Sequence, residues 1–173
     1  NPKKHSWTPI YNMIEAARER GAKVIVLDPR VSEQAEVADL HLSLRSGTDA
    51  AMCLGWLKVI FDEGLYDKKF VENWCTGFEA LKARVDEYPL DRVSEITGVA
   101  AALIAEAARM YATADGAIIP WTPITDMQIS STSAIRLHSI LRAVTGNLDV
   151  VGGETLGAVS YTHLRAHETM SNR

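Results

Sequence analysis

The stretch that decides the fold is Gly21–Ala51, GAKVIVLDPRVSEQAEVADLHLSLRSGTDAA. Lys23 to Leu27 is a largely β-branched run bounded by Gly21 and by Asp28-Pro29, which suits a buried parallel strand better than a helix. A short helix or turn over Ser32–Ala38 leads to a second strand, Leu40–Leu44, and Gly47-Thr48-Asp49 then opens a longer helix. This order reads as a nucleotide-binding half-site, because open α/β sheets gather ligands at the carboxyl ends of their strands. Asp28 stands at such an end. Its carboxylate can accept hydrogen bonds from a ribose or from the donor edge of guanine, or it can form an Asx-type turn that caps the next segment. Thr48 or Asp49 can cap the helix that follows, and Asp49 can alternatively face the N1 and N2 donors of guanine. No G-x-G-x-x-G is present, so an ordinary NAD site is not indicated.

Upstream, Thr8-Pro9 starts a helix with Ile10, Met13, Ile14 and Ala17 on one face, and Gly21 ends it. Downstream, Ala50, Cys53, Leu54, Leu57, Ile60 and Phe61 keep helical spacing over Thr48–Glu63, with Gly64 as the stop. Asp67–Trp74, Phe78–Tyr88 and Asp91–Ile96 form a helical excursion, and Val99–Tyr111 is amphipathic with Leu103, Ile104, Ala107, Ala108, Met110 and Tyr111 toward a core. Trp56 and Trp74, at helical positions, belong with that core. Ala117–Trp121 reads as a third short strand, Trp121–Ile129 as a loop at its carboxyl end, and Ser131–Val144 as a last helix. The fold class is α/β: a partial doubly wound, Rossmann-like parallel sheet with flanking helices and a helical insertion.

With 173 residues, 47% hydrophobic and 23% charged, the chain has the composition of a globular domain. A net charge of -4 argues against a broad nucleic-acid surface. Apolar runs fall short of the ~18 residues of a membrane span, so no membrane partner and a cytoplasmic location are expected. Cys53 and Cys75 are too few for a disulfide framework or a thiolate cage and read as buried thiols. His163 and His167 have the i, i+4 spacing of a metal pair, but the glutamate of H-E-x-x-H is missing, and no metal ligand is assigned in the chain. The sequence divides into a nucleotide-binding α/β region, 1–154, and a tail, 155–173, without sustained apolar periodicity. VSYTHLRAHET within that tail resembles a translated sequencing adapter, so the tail is expected to be non-native or disordered.

Several strings taken together resemble the molybdopterin oxidoreductases, the dimethyl sulfoxide reductase superfamily of molybdenum and tungsten enzymes. They are Asn1-Pro2, Val26-Leu27-Asp28-Pro29-Arg30, Glu36-Val37-Ala38-Asp39, Gly47-Thr48-Asp49-Ala50, Glu95-Ile96-Thr97-Gly98 and Thr145-Gly146-Asn147-Leu148-Asp149 with Gly152-Gly153. The resemblance runs in unbroken order over residues 1–154 and implies a fragment of a larger catalytic subunit. It implies that Asn1 ends a turn at the pterin, that Asp28, Pro29, Arg30, Gly47, Thr48 and Asp49 hold the guanosine end of a molybdopterin guanine dinucleotide, and that Asp49 pairs with the guanine. Ser46 and Val151 stand where the family usually has proline. Trp121–Gln128 replaces a glycine-rich run ending in Gln-His, so Gln128 fits the cofactor-binding pattern while Trp121 departs from it.

That departure, with Ser6-Trp7-Thr8-Pro9 and Ile119-Pro120-Trp121-Thr122-Pro123, resembles the tungsten-dependent acetylene hydratase branch of the superfamily. There Trp7 and Trp121 would belong to an apolar ring over the metal. Acetylene is small, apolar and without hydrogen-bonding handles, so a tight apolar cage is the means to select it. The resemblance further implies a bis(molybdopterin guanine dinucleotide) carrying tungsten or molybdenum, a [4Fe-4S] cluster, and catalytic residues outside this chain, which alone would be inactive. The expected partners are the remaining domains of the same subunit. An electron-transfer subunit enters only under the alternative of a formate dehydrogenase or reductase, and a non-catalytic nucleotide-binding module is the third reading.

Overall fold

The computed structural model describes residues 8–120, 125 and 127–155, with side chains from Tyr11 onward. Helix α1, Thr8–Glu19, leads through Gly21 (φ +97°) into strand β1, Ile25–Leu27. Helix α2, Glu33–Val37, starts on Ser32, whose hydroxyl accepts from the Ala35 amide at 3.4 Å. Strand β2, Leu40–Leu42, lies parallel to β1 with Ile25 opposite Leu40, Val26 opposite His41 and Leu27 opposite Leu42. Asp39 joins the starts of the two strands: its carboxylate takes the Val24 amide at 2.9 Å and the Lys23 ammonium at 2.8 Å. Those two donors hold the Asp39 carboxyl below its ordinary value.

Six of the eight described helices are α3 (Asp49–Asp62), α4 (Lys68–Trp74), α5 (Phe78–Asp86), α6 (Leu90–Thr97), α7 (Ala101–Ala112) and α8 (Ser131–Val144). α3 is their axis. Its buried residues, Met52 to Leu57 and Val59 to Phe61, go all the way round the helix, because α5, α6, α7 and α8 pack on different sides of it. Gly55 permits the closest approach: a Cβ there would stand 2.9 Å from Val93 Cγ1 on α6 and 3.3 Å from Ile104 Cγ2 on α7. A Schellman turn ends α3. The Leu65 amide bonds the Ile60 carbonyl at 2.8 Å, the Gly64 amide bonds that of Phe61 at 3.3 Å, and Gly64 takes φ +66°.

Three expectations need correction. Trp74 is 78% exposed, whereas Trp56 is buried against Tyr111, the ring centroids 5.6 Å apart and the planes tilted by 36°. On α7, Leu103 faces out at 37% exposure and Ala105 takes a place in the core, because the buried face of Ile104, Ala105, Ala107, Ala108 and Tyr111 is rotated toward Ala105 and away from Leu103. Residues 117–120 are not a strand; the two described strands make the whole described sheet, and Trp121 lies outside the described residues. Instead, side chains from the turn after α8 bond this segment. No described helix is long and apolar enough to cross a membrane.

Candidate nucleotide-cofactor site

Parallel pairing puts the carboxyl ends of β1 and β2 side by side. Asp28 leaves the sheet immediately after Leu27, while its own amide still bonds the Leu42 carbonyl at 3.3 Å. Its Oδ1 accepts from the Arg30 amide at 2.9 Å, so the Asx turn across Pro29 is formed. The turn uses one carboxylate oxygen; Oδ2 has no hydrogen bond among the described residues. Arg30 projects outward, its side chain 79% exposed with Nε 3.6 Å from Asp28. The neighbouring loop is fastened to this turn by Ser43 Oγ, which donates to the Pro29 carbonyl at 3.0 Å, and by His41 Nε2, which donates to the Asp28 carbonyl at 2.8 Å.

The second turn runs into α3. Arg45 donates to the Glu95 and Ile96 carbonyls at the end of α6, and its amide bonds the Thr97 carbonyl at 2.8 Å, which anchors the turn on the helical body. Gly47 takes φ +81°, and nothing stands within 4 Å of where a Cβ would be, so the backbone is open to close approach by a ligand. Thr48 occupies the N-cap position but does not cap α3 with its side chain: the hydroxyl turns back and donates to the Arg45 carbonyl at 2.6 Å. Asp49 is the first helical residue, half-buried, and its carboxylate makes no hydrogen bond among the described residues. An uncommitted carboxylate in the first turn of a helix is favoured by the helix dipole and keeps its acceptors for a ligand.

A cleft of about 490 Å³ opens between the amino-terminal ends of α3 and α8. Gly47 and Thr48 line it from one helix and Ser130 and Ser133 from the other, with Arg84 and Arg136 among its walls. Two helix amino termini and the Arg136 guanidinium suit an anionic group such as a phosphate, while Arg84 is paired with Glu87. Asp28, Pro29, Arg30 and Asp49 do not line this cleft. Of the residues expected to hold the cofactor, only Gly47 and Thr48 line the cleft, while Asp28, Pro29 and Arg30 follow the end of β1. Gln128 is half-buried in the turn that starts α8, its Nε2 donating to the Thr125 carbonyl at 3.4 Å and its carbonyl accepting from the Ser131 amide at 3.1 Å. Asn1, Trp7 and Trp121 lie outside the described residues.

Sequence reasoning missed the polar side chains of α8 and the turn after it: His138, Arg142, Asn147 and Glu154. Only the T-G-N-L-D…G-G string signalled that turn, and it named no partner. Burial pushes the His138 imidazole below its ordinary value and Arg142 adds to this, while Asp49 and Glu154 oppose it. Burial, with Asp49 adding to it, pushes the Cys53 thiol up to about 12, which makes it an inert core residue; Cys75 is half-buried. Among the described residues no three His, Cys, Asp or Glu side chains are grouped to hold a metal.

Residues 2–139 match the molybdopterin oxidoreductase family, and the chain belongs to it; the family's cofactor is a molybdopterin. Among relatives, acetylene hydratase of Syntrophotalea acetylenica is 53% identical over 175 residues, a match covering 98% of this chain and 24% of that protein. Formate dehydrogenase H of Escherichia coli (strain K12) is 40% identical over 139 residues, covering 80% of this chain and 19% of that protein. The solved structure of acetylene hydratase from Pelobacter acetylenicus superposes with a TM-score of 0.80 at 58% identity, over 82% of this chain and 20% of that one. The chain thus spans about a quarter of the length of the first of these relatives.

Proposed function

We propose that this chain is the guanosine-holding α/β part of an acetylene hydratase, the enzyme that adds water to acetylene to give acetaldehyde without net redox change. The observation that carries this reading is the 58% identity to a solved acetylene hydratase through one superposable fold. The residues present fit a molybdopterin guanine dinucleotide. Asp49 offers an uncommitted carboxylate to the N1 and N2 donors of guanine, Asp28 keeps Oδ2 for a ribose hydroxyl, and Arg30 presents an exposed cation to a phosphate. Gly47 lets the ligand approach the backbone, and Thr48, whose hydroxyl hydrogen is bonded to the Arg45 carbonyl, offers its oxygen as an acceptor. Gln128 and Asn1 belong to the pterin end, and Trp7 and Trp121 to the apolar cage that excludes larger and more polar molecules than acetylene.

When bound, the tungsten or molybdenum centre supplies Lewis-acid activation, and a [4Fe-4S] cluster resides elsewhere in the subunit. The chain's own task is to hold the nucleotide end and shape the substrate pocket, with the remaining domains of its subunit as partners in the cytoplasm. The second reading, a formate dehydrogenase or related reductase with an electron-transfer partner, draws on the 40% identity to formate dehydrogenase H. The test is the complete parent subunit, loaded with tungsten. Acetaldehyde formed from acetylene and water with no electron acceptor present is the expected result; formate-dependent dye reduction without hydration moves the assignment to the redox enzymes. Nucleotide binding with neither reaction leaves only a binding module.

A further inference from the structure

The ladder between β1 and β2 stops at Asp28, and side chains meet the demands it leaves behind. Leu27 stands opposite Leu42, and the Asp28 amide bonds the Leu42 carbonyl at 3.3 Å. In a longer parallel ladder of this register the Leu44 amide would bond the Asp28 carbonyl, and the Arg30 amide the Leu44 carbonyl. Neither bond forms. The Leu44 amide turns back to the Leu42 carbonyl at 3.0 Å, and the Arg30 amide goes to Asp28 Oδ1 at 2.9 Å. The Asp28 carbonyl instead accepts from His41 Nε2 at 2.8 Å, and the next carbonyl, that of Pro29, from Ser43 Oγ at 3.0 Å.

The alternation of β2 and its continuation supplies these two donors. Leu42 and Leu44 are buried in the core, which fixes one face of the segment. His41, half-buried, and Ser43, exposed, fall out of phase with them and share the other face, from which both reach the chain that continues β1. Asp28 is thereby held at three points: its amide on Leu42, its carbonyl under His41, and its Oδ1 over the Arg30 amide. Oδ2 is the acceptor of this residue left without a partner among the described residues, and the Asp28 side chain is 23% exposed. An acceptor whose backbone and companion oxygen are already fixed loses little freedom when a ligand binds it, and that preorganisation shows as affinity.

We propose that His41 and Ser43 are positioning residues for nucleotide recognition: by holding the Asp28 and Pro29 carbonyls they aim Asp28 Oδ2 at the ribose hydroxyls of a guanine nucleotide. The ribose contact rests on the guanosine-holding reading given above, whereas the hold on the turn stands on the bonds alone. The test uses the complete parent subunit, prepared without cofactor and shown to melt cooperatively. It is titrated by calorimetry with GDP and with dideoxy-GDP, which lacks both free ribose hydroxyls, and amide hydrogen exchange is followed at Arg30. Wild type is expected to bind GDP about tenfold more tightly than the dideoxy form. His41→Leu should weaken GDP about five- to tenfold and the dideoxy form less than about twofold, so that the preference disappears; Ser43→Ala should do the same to a smaller degree. Exchange at the Arg30 amide should speed up at least about tenfold in His41→Leu. His41→Gln brings a side-chain amide N–H to the place of Nε2 and restores both the preference and the protection. If His41→Leu does not fold, Ser43→Ala, at an exposed position, decides the question with the same pair of nucleotides. An unchanged preference overturns the positioning role, and so does an equal weakening of both nucleotides, which is what a merely structural residue would give. Unchanged exchange at Arg30 overturns the hold on the turn. A wild type that binds both nucleotides equally removes the Asp28 contact and the proposal with it, and one that binds neither overturns the guanosine-holding reading itself.

Discussion

The β1–α2–β2 unit and the helical body around α3 are built on opposite principles. The helical body buries its axis on every side, with Met52, Leu57 and Ile60 fully enclosed, whereas the sheet unit has strands of three residues and leaves Leu27, Val31 and Val37 at 37%, 70% and 49% exposure. Yet the uncommitted polar atoms stand on the sheet unit and at its junction with α3. A binding site needs groups that the protein has not already satisfied, and a tightly packed core has none to spare. Stability and the proposed recognition are thereby separated in space, with Arg45, bonded to the end of α6, spanning the seam.

Substitutions can break or sharpen that division. The largest effect is expected from Leu57→Ala, which opens a void at a residue with 0% exposure and should lower unfolding free energy in urea by about 2–5 kcal/mol. A loss comparable to a surface change would remove the α3 body from its place as the stabilising region. Gly55→Ala follows: the added methyl meets stiff Val93 and Ile104 side chains, and overpacking of this kind should cost about 1–3 kcal/mol, more than the helix propensity regained.

The helical body is also probed by pH. His138 titrates below its ordinary value of 6.5 in the folded chain, so between that value and the lower folded one the unfolded chain binds the extra proton. Stability should fall as pH drops through this window and level off once both states are protonated. Melting temperatures of wild type and His138→Gln between pH 7.5 and 5 test this, and equal slopes would mean that His138 does not carry the pH dependence. The smallest stability effect belongs to Asp49→Asn, within about 0.5 kcal/mol, because no described hydrogen bond is lost. The same change puts donors against the guanine donors and should reduce guanine-nucleotide retention by the parent enzyme at least tenfold, about 1.4 kcal/mol, by cofactor analysis. A large loss of stability without a loss of nucleotide would reverse the roles given to the two regions.

What could be read from the sequence was what short-range chemistry determines. The Val26-Leu27 run and its Asp28-Pro29 stop located β1, helical spacing and Gly64 located α3, and Ser131–Val144 matched α8 residue for residue. The all-round burial of α3 was less visible, since one stripe of apolar residues describes only one of its faces. Trp74 misled because an aromatic at a helical position says nothing about which side the neighbours occupy. The third strand misled for a deeper reason. Ala117–Ile119 does have a strand's extended, alternating demands, but the groups that meet them come from Asn147 and Glu154 far along the chain, and no local period announces a side chain acting in place of a ladder. Asp28 carried two readings, and the structure forms one of them, the Asx turn on Oδ1.

The central place of α3 also has a consequence in time. The helices that wall it in, α5 to α8, all follow it in the chain, so a ribosome must travel from Asp62 to Val144 before the last wall exists. At about 5–20 residues per second that interval is roughly 4–16 s, during which Met52, Leu57 and Ile60 are translated but not enclosed. Nascent chains stalled at Gly116 should therefore be cut by protease within α3 and held by chaperones, and chains stalled well past Val144 should not; equal resistance at both lengths would mean that α5 to α7 suffice to close the core.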